Sequence, residues 1–182
     1  MKQKILYAKI KRMTPDDVDA VMKIEELAYP NHHWSKDSFY SEISNKLAHY
    51  YCVVEADSNK ILAYIGYWQI LEEAHITTLA VHPDYRRHQL AHILLMTLVD
   101  DCYKQMIKYI TLEVRESNVA AISLYEKFGF TSIGVRKNYY QDNGENALIM
   151  FTENIWYDKF KFLYNKVVNG ITRVNYYYDE KD

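Results

Sequence analysis

Glu113, in the run LEVR, and Tyr125, in SLYE, offer a base and an acid within one strand-to-helix stretch. A carboxylate takes a proton from an attacking group; a phenol, with a pKa near 10, stays protonated at neutral pH and supplies one to a leaving group. Upstream, VHPDYRRHQLAHILL at 81–95 reads as a strand passing through a basic loop into a helix. A helix start presents unpaired N–H groups at the positive end of its dipole, which favours a phosphate. Arg86, Arg87, His88 and His92 add donors and positive potential. An anion held there, beside a strand with Glu113 and a helix with Tyr125, is a layout for moving a group off a phosphate-bearing carrier. Without other context both residues have plainer readings. Glu113 alternates with Leu112 and Val114 as a polar strand face would, and Tyr125 shares a stripe with Ala121, Leu124 and Phe128 that suits a core.

The elements that position these residues read as a mixed α/β (α+β) domain. Residues 4–12 form a strand. Thr14 caps a helix with Pro15 at its first position and Asp16 and Asp17 at the positive end of the dipole. Ala20, Val21, Ile24, Leu27 and Ala28 make its apolar stripe, and Pro30 ends it. Ser35 caps a second helix over 36–46. Residues 49–56 and 61–71 form a hairpin around DSNK, and 74–82 a further strand. Gln89 to Tyr103 is helical with Leu90, Leu94 and Leu98 along one side. A strand over 108–115, a helix over 118–127, a strand over 130–140, the turn QDNGEN and a last strand over 146–152 complete the domain, 1–152. In the C-terminal extension, 153–182, Trp156, Phe160, Leu163 and Val167 fall at helical spacing up to Gly170. VNYYY reads as a strand or docked arm, and DEKD as solvated.

A net charge of −2 argues against dominant nonspecific nucleic-acid binding. No apolar run approaches membrane-spanning length, and the lysines in MKQKILYAKIKRM break up any signal-peptide core. Cys52 and Cys102 are the only cysteines, with no CxxC or Cys/His ligand spacing. Reduced, partly buried thiols and a cytoplasmic location are expected, with no metal. His32 and His33 lack a third ligand and read as loop histidines. There is no GxGxxG, so a dinucleotide fold has no support.

The loop RRHQLA at 86–91 resembles motif A of the GNAT N-acetyltransferase superfamily, Q/R-x-x-G-x-G/A. Arg86 fills the first position, Ala91 the last, and Gln89 stands where the family has its first glycine. LEVRESNVAAISLYEKFGF followed by RKNYYQDNGENALIM is similar to the RimI-like branch, which acetylates protein N-termini, typically of a ribosomal protein. The resemblance runs from about residue 5 to 152. It implies a GNAT fold, a central mostly antiparallel mixed sheet flanked by helices, and acetyl-CoA as acetyl donor. It further implies Glu113 as general base and Tyr125 as general acid. Asn118 matches a coenzyme contact, and Leu79, Ala80 and Val81 match the strand that pairs with the pantetheine arm. Arg87, His88, Gln89, Leu90, Ala91 and His92 match the pyrophosphate loop. Trp34, Tyr139 and Tyr140 match the peptide entrance.

The chemistry agrees with an N-terminal acceptor. Baring an α-amine, pKa about 7.7–8.0, costs about 1 kcal/mol at neutral pH, whereas a lysine costs roughly 4–5 kcal/mol. A carboxylate acting through water is adequate for the former. The expected reaction is direct attack in a ternary complex, on a protein or peptide N-terminus, by a monomer or weak homodimer that touches neither membrane nor nucleic acid. Two rivals stand beside it: a GNAT acting on a small-molecule amine, and a catalytically weak acyl-CoA-binding module, which Gln89 motivates.

Overall fold

A computed structural model describes residues 5–31 and 33–179. Lys4, His32 and the Glu180–Asp182 end of the tail lie outside the described residues. The strands are β1 (Leu6–Arg12), β2 (Ala48–Glu55), β3 (Ile61–Ile70), β4 (Glu73–Val81), β5 (Tyr109–Arg115), β6 (Phe130–Tyr140), β7 (Glu145–Thr152) and β8 (Val174–Tyr178). The helices are α1 (Val18–Ala28), α2 (Lys36–Ser44), α3 (Leu90–Lys104), α4 (Val119–Lys127) and α5 (Asp158–Asn169). The strands join one sheet in the order β6-β7-β5-β4-β3-β2-β1-β8. β4 with β5, and β1 with β8, are parallel; the other neighbours are antiparallel.

Both sheet faces are covered. Leu90, Ile93, Leu94 and Leu98 of α3 pack with Ile65, Tyr67, Ile76 and Leu112 on one face. Val21 and Ile24 of α1 and Phe39 of α2 pack with Tyr50, Val54 and Tyr64 on the other. This two-sided burial is why β3 reads as the unbroken apolar run ILAYIGY rather than an alternation. Cys52 and Cys102 are fully buried and are not joined in a disulfide. No helix among the described residues is long and apolar enough to cross a membrane.

Two details of the first helix differ from the reading of the sequence. Thr14 precedes a 3-10 turn, Pro15–Asp17, and the α-helix starts only at Val18. The Asp17 carboxylate folds back to accept from the Thr14 N–H and hydroxyl, each at 2.9 Å, and from Lys11 at 2.6 Å, which tightens that turn. The buried face of α1 is Val18, Val21, Met22, Ile24 and Glu25, while Leu27 is 54% exposed. At about 100° per residue, Leu27 lies on the side of the helix opposite Val18.

Beyond β7, α5 buries Phe160 and Tyr164 against the α3 face, and the Tyr164 hydroxyl donates to Asp100 at 2.5 Å. VNYYY is a strand, in register with β1 from Leu6↔Val174 to Ile10↔Tyr178.

The sheet opens between its two central parallel strands. β4–β5 pairing runs from Glu73↔Tyr109 to Ile76↔Leu112. Past that point β4 stays with β3 through Ala63↔Val81, while Glu113 to Arg115 stay with β7. The opening begins at a bulge, where the β3–β4 register shifts between Gly66 and Tyr67. Gly66 is required there, because the Tyr50 ring occupies the place of its Cβ. The Tyr50 hydroxyl then lies 3.1 Å from that of Thr77, beside the bulge.

Candidate active site

Glu113 stands at the base of the β4–β5 opening. Leu112 and Val114 face α3, so alternation sends Glu113 to the α1–α2 face, where its side chain is 9% exposed. His75 Nε2 of β4 lies 2.7 Å from Glu113 Oε2, and the Arg136 guanidinium of β6 lies 3.0 Å from Oε1. The His75 hydrogen bond, then the charges of His75 and Arg136, outweigh burial and hold the Glu113 carboxyl below its ordinary range. Glu113 is therefore ionised at neutral pH.

Tyr125 approaches from α4. It is 7% exposed, packed on Phe130 with ring centroids 5.5 Å apart. Burial pushes its phenol well up, and the neighbouring Tyr29 and Tyr140 hydroxyls add to the rise. It remains a proton donor at any physiological pH. Tyr140, raised by burial against the opposing pull of Arg115, is pushed up to about 12. Two further protonated tyrosines, Tyr29 from the end of α1 and Tyr125 from α4, thus lie within electrostatic reach of Tyr140 on β6, which in turn reaches Glu113.

The wall carrying Tyr139 and Tyr140 is fastened by one residue. Arg115 binds both Asp142 oxygens on the β6–β7 turn, at 3.0 and 2.9 Å, and Glu145 at the start of β7, at 3.1 Å. Its guanidinium also covers the Tyr140 ring at 3.8 Å. Tyr139 is 44% exposed and meets Tyr140 edge-on at 5.1 Å. Across the opening, Trp34 donates its backbone N–H to Glu25 at 2.9 Å, and its ring packs 5.4 Å from Phe39. Buried Glu25 also accepts from the Tyr64 hydroxyl, and burial raises its pKa.

On β4, Leu79 and Val81 pack toward α3 and Ala80 toward α1. The Leu79 carbonyl already accepts from the Tyr29 hydroxyl at 2.6 Å, so that position of the strand edge is engaged within the chain. At the start of α3 the Ile93 N–H bonds back to the Gln89 carbonyl at 3.2 Å, and the N–H groups before it point out of the helix end. Arg87 and Gln89 both take left-handed backbone, φ 67° and 62°. Leu90 is buried in the core. His88 Nδ1 lies against the Arg86 carbonyl at 3.1 Å. Burial and the charge of Lys127 lower the pKa of His92. Asn118 caps α4, its Oδ1 accepting from the Ala121 N–H at 3.2 Å.

Tyr140 lies within electrostatic reach of both Glu113 and Tyr125, and Arg87 to Gln89 lead into α3, which carries Leu90, Ala91 and His92. Trp34 belongs to the α1–α2 core and Asn118 to a helix cap. His75, Arg136, Arg115, Tyr29 and Glu25 were not singled out from the sequence. His75 was within reach of a reading that knew the register, since His75↔Thr111 puts it one strand over from Glu113. Among the described residues no cluster of His, Cys, Asp or Glu could hold a metal ion.

A sheet split between two parallel strands, with phosphate-ready amides beside one and an ionised carboxylate on the other, is built for acyl transfer from a phosphate-bearing carrier. The chain matches the acetyltransferase (GNAT) family over residues 18–130, and it belongs to that family. It is 36% identical to the ribosomal protein bS18-alanine N-acetyltransferase of Escherichia coli, over 78% of this chain and 94% of that one. It is 42% identical, over 79% of this chain and 94% of the relative, to a Bacillus subtilis protein itself described as a candidate for the same activity. The crystal structure of the E. coli ribosomal-protein-S18-alanine N-acetyltransferase superposes with a TM-score of 0.74 at 34% identity, covering 81% of this chain and 94% of that one.

Proposed function

We propose that this N-acetyltransferase transfers acetyl from acetyl-CoA to the α-amine of a protein N-terminus, in the cytoplasm, with the alanine of a bS18-type ribosomal protein as the favoured acceptor. The observation that carries the reading is Glu113, ionised and fixed by His75 and Arg136 at the base of the sheet opening. The relatives' activity supports the acceptor. The coenzyme fits the residues present: outward amides at the start of α3 for the pyrophosphate, and the strand edge at Ala80 and Val81 for the pantetheine arm. Asn118 is a further contact in this reading.

Glu113 takes the proton from the incoming amine, through water, as its nitrogen bonds to the acetyl carbon. His75, 2.7 Å from Glu113 Oε2, holds the carboxylate in place. Tyr125 gives its proton to the sulfur as the carbon–sulfur bond breaks. Tyr139, Tyr140 and Trp34 line the approach for the first residues of the acceptor. Only an acceptor with a readily bared amine suits this base, which favours an N-terminus over a lysine.

The test is mass spectrometry of a peptide beginning with alanine, incubated with acetyl-CoA and the wild-type chain, Glu113→Gln or Tyr125→Phe. Acetylation at the N-terminus, lost in both variants, is expected. Equal turnover in both variants would overturn the roles. Preferential acetylation of polyamines or amino sugars would overturn the acceptor.

A further inference from the structure

Gln89 is the one departure from the family's phosphate-loop motif, and its side chain is engaged elsewhere. Nε2 donates to the Gly170 carbonyl at 2.9 Å. Oε1 accepts from the Thr172 and Arg173 N–H groups, each at 2.9 Å. Arg173 completes the contact, its guanidinium donating to the Arg87 carbonyl at 2.9 Å. Both left-handed residues of the loop are therefore held by the segment that follows α5. A glycine at 89 would reach the same backbone shape more cheaply but would leave that segment without its anchor.

The same segment forms a wall of a groove that begins at Gln89. This groove, about 430 Å³, is lined by His92 of α3, Lys127 of α4, and Leu163, Lys166 and Val167 of α5. Glu126 lines it as well, leaving a net positive charge from the two lysines. His92, its pKa lowered, adds a neutral ring. An apolar side from α5 and two ammonium groups suit a flat heterocycle bearing a phosphate.

We propose that the C-terminal segment is a working part of the coenzyme site. Residues 170–173 hold the pyrophosphate loop in shape through Gln89, and Lys127 and Lys166 bind the 3′-phosphate of the nucleotide end of acetyl-CoA in this groove. The inference rests on the acetyl-CoA reading above. Gln89 is a positioning residue, because it acts through the loop backbone rather than on the ligand.

The experiment uses the full chain, with acetyl-CoA and its 3′-dephospho form compared by steady-state kinetics, and CoA binding measured by calorimetry. Lys166→Ala is expected to raise KM for acetyl-CoA about fivefold, with kcat and the KM for the dephospho form unchanged, and Lys166→Arg to restore it. Gln89→Ala and Arg173→Ala are expected to raise KM for both forms equally, at unchanged kcat. Lys166→Ala variants that treat the two forms alike, or a Gln89→Gly chain that binds CoA as tightly as wild type, would overturn the proposal. A wild-type chain that binds both forms equally removes this inference alone. One that binds neither removes the acetyl-CoA reading, and this inference with it.

Discussion

The wall around Glu113 and the loop at 86–92 are supported in opposite ways. Glu113, Arg115, Arg136 and Tyr140 are held by one another and by His75 within β4, β5 and β6, with Asp142 on the β6–β7 turn and Glu145 at the start of β7. The loop at 86–92 is held by Gly170, Thr172 and Arg173, from the far end of the described chain. Where support is local, the residues follow the family's pattern closely. Where support is remote, Gln89 departs from that pattern, and its side chain is what the remote segment holds.

If the wall is the seat of the chemistry, Glu113→Gln should produce the largest loss, about 10²- to 10³-fold in kcat in a thiol-release assay, with little change in KM for acetyl-CoA. A fall of less than threefold would break the comparison, because the wall would then be scaffold. Arg115→Met should act next most strongly. Freed from Asp142 and Glu145, the hairpin loses its brace, and KM for the peptide should rise about tenfold with coenzyme binding untouched. A rise in coenzyme KM instead would show the two regions to be coupled.

The pH profile sharpens the same division. Glu113 has a depressed pKa, so its charge is lost only as pH falls through a value below the ordinary carboxylate range. The kcat/KM for an alanine-starting peptide should therefore rise toward a plateau above about pH 8, following the α-amine. A second inflection near the ordinary carboxylate range would show that His75 and Arg136 do not hold Glu113 ionised.

The smallest expected effect on activity lies at the other end of α3. Buried Asp101 accepts from the Tyr51 and Tyr67 hydroxyls, both at 2.6 Å, and faces His49. Burial would raise its pKa, but these partners, His49 first, outweigh it and hold it well below the usual value. Its contribution to stability is present above the ordinary carboxylate range and is lost as pH falls through the depressed value. Asp101→Asn should cost about 1–3 kcal/mol in urea melts while leaving both KM values in place.

Much of this was legible without coordinates. The strand and helix order follows from periodicity and capping residues such as Ser35, which accepts from the Ser38 N–H as a cap should. Glu113 and Tyr125 stood out because their surrounding runs are continuous in sequence. His75 did not, because its partnership with Glu113 depends on the parallel register of β4 against β5, which no local pattern records. Leu27 was misplaced because an apolar residue late in a helix can turn away from the core without disturbing the stripe before it. Gln89 looked like a lapse in a motif only because its partners lie beyond α5.

The pairing of β8 with β1 carries a consequence for how the protein is made. β1 enters the nascent chain early and β8 long afterwards, so one edge of β1 waits without its partner through most of synthesis. Because β8 follows directly on the residues that anchor Gln89, its docking on β1 and the bracing of the phosphate loop belong to the same late event. A chain ended before Gly170, and so before β8, would carry Glu113, Tyr125 and Tyr140 yet lack the contacts that hold Gln89.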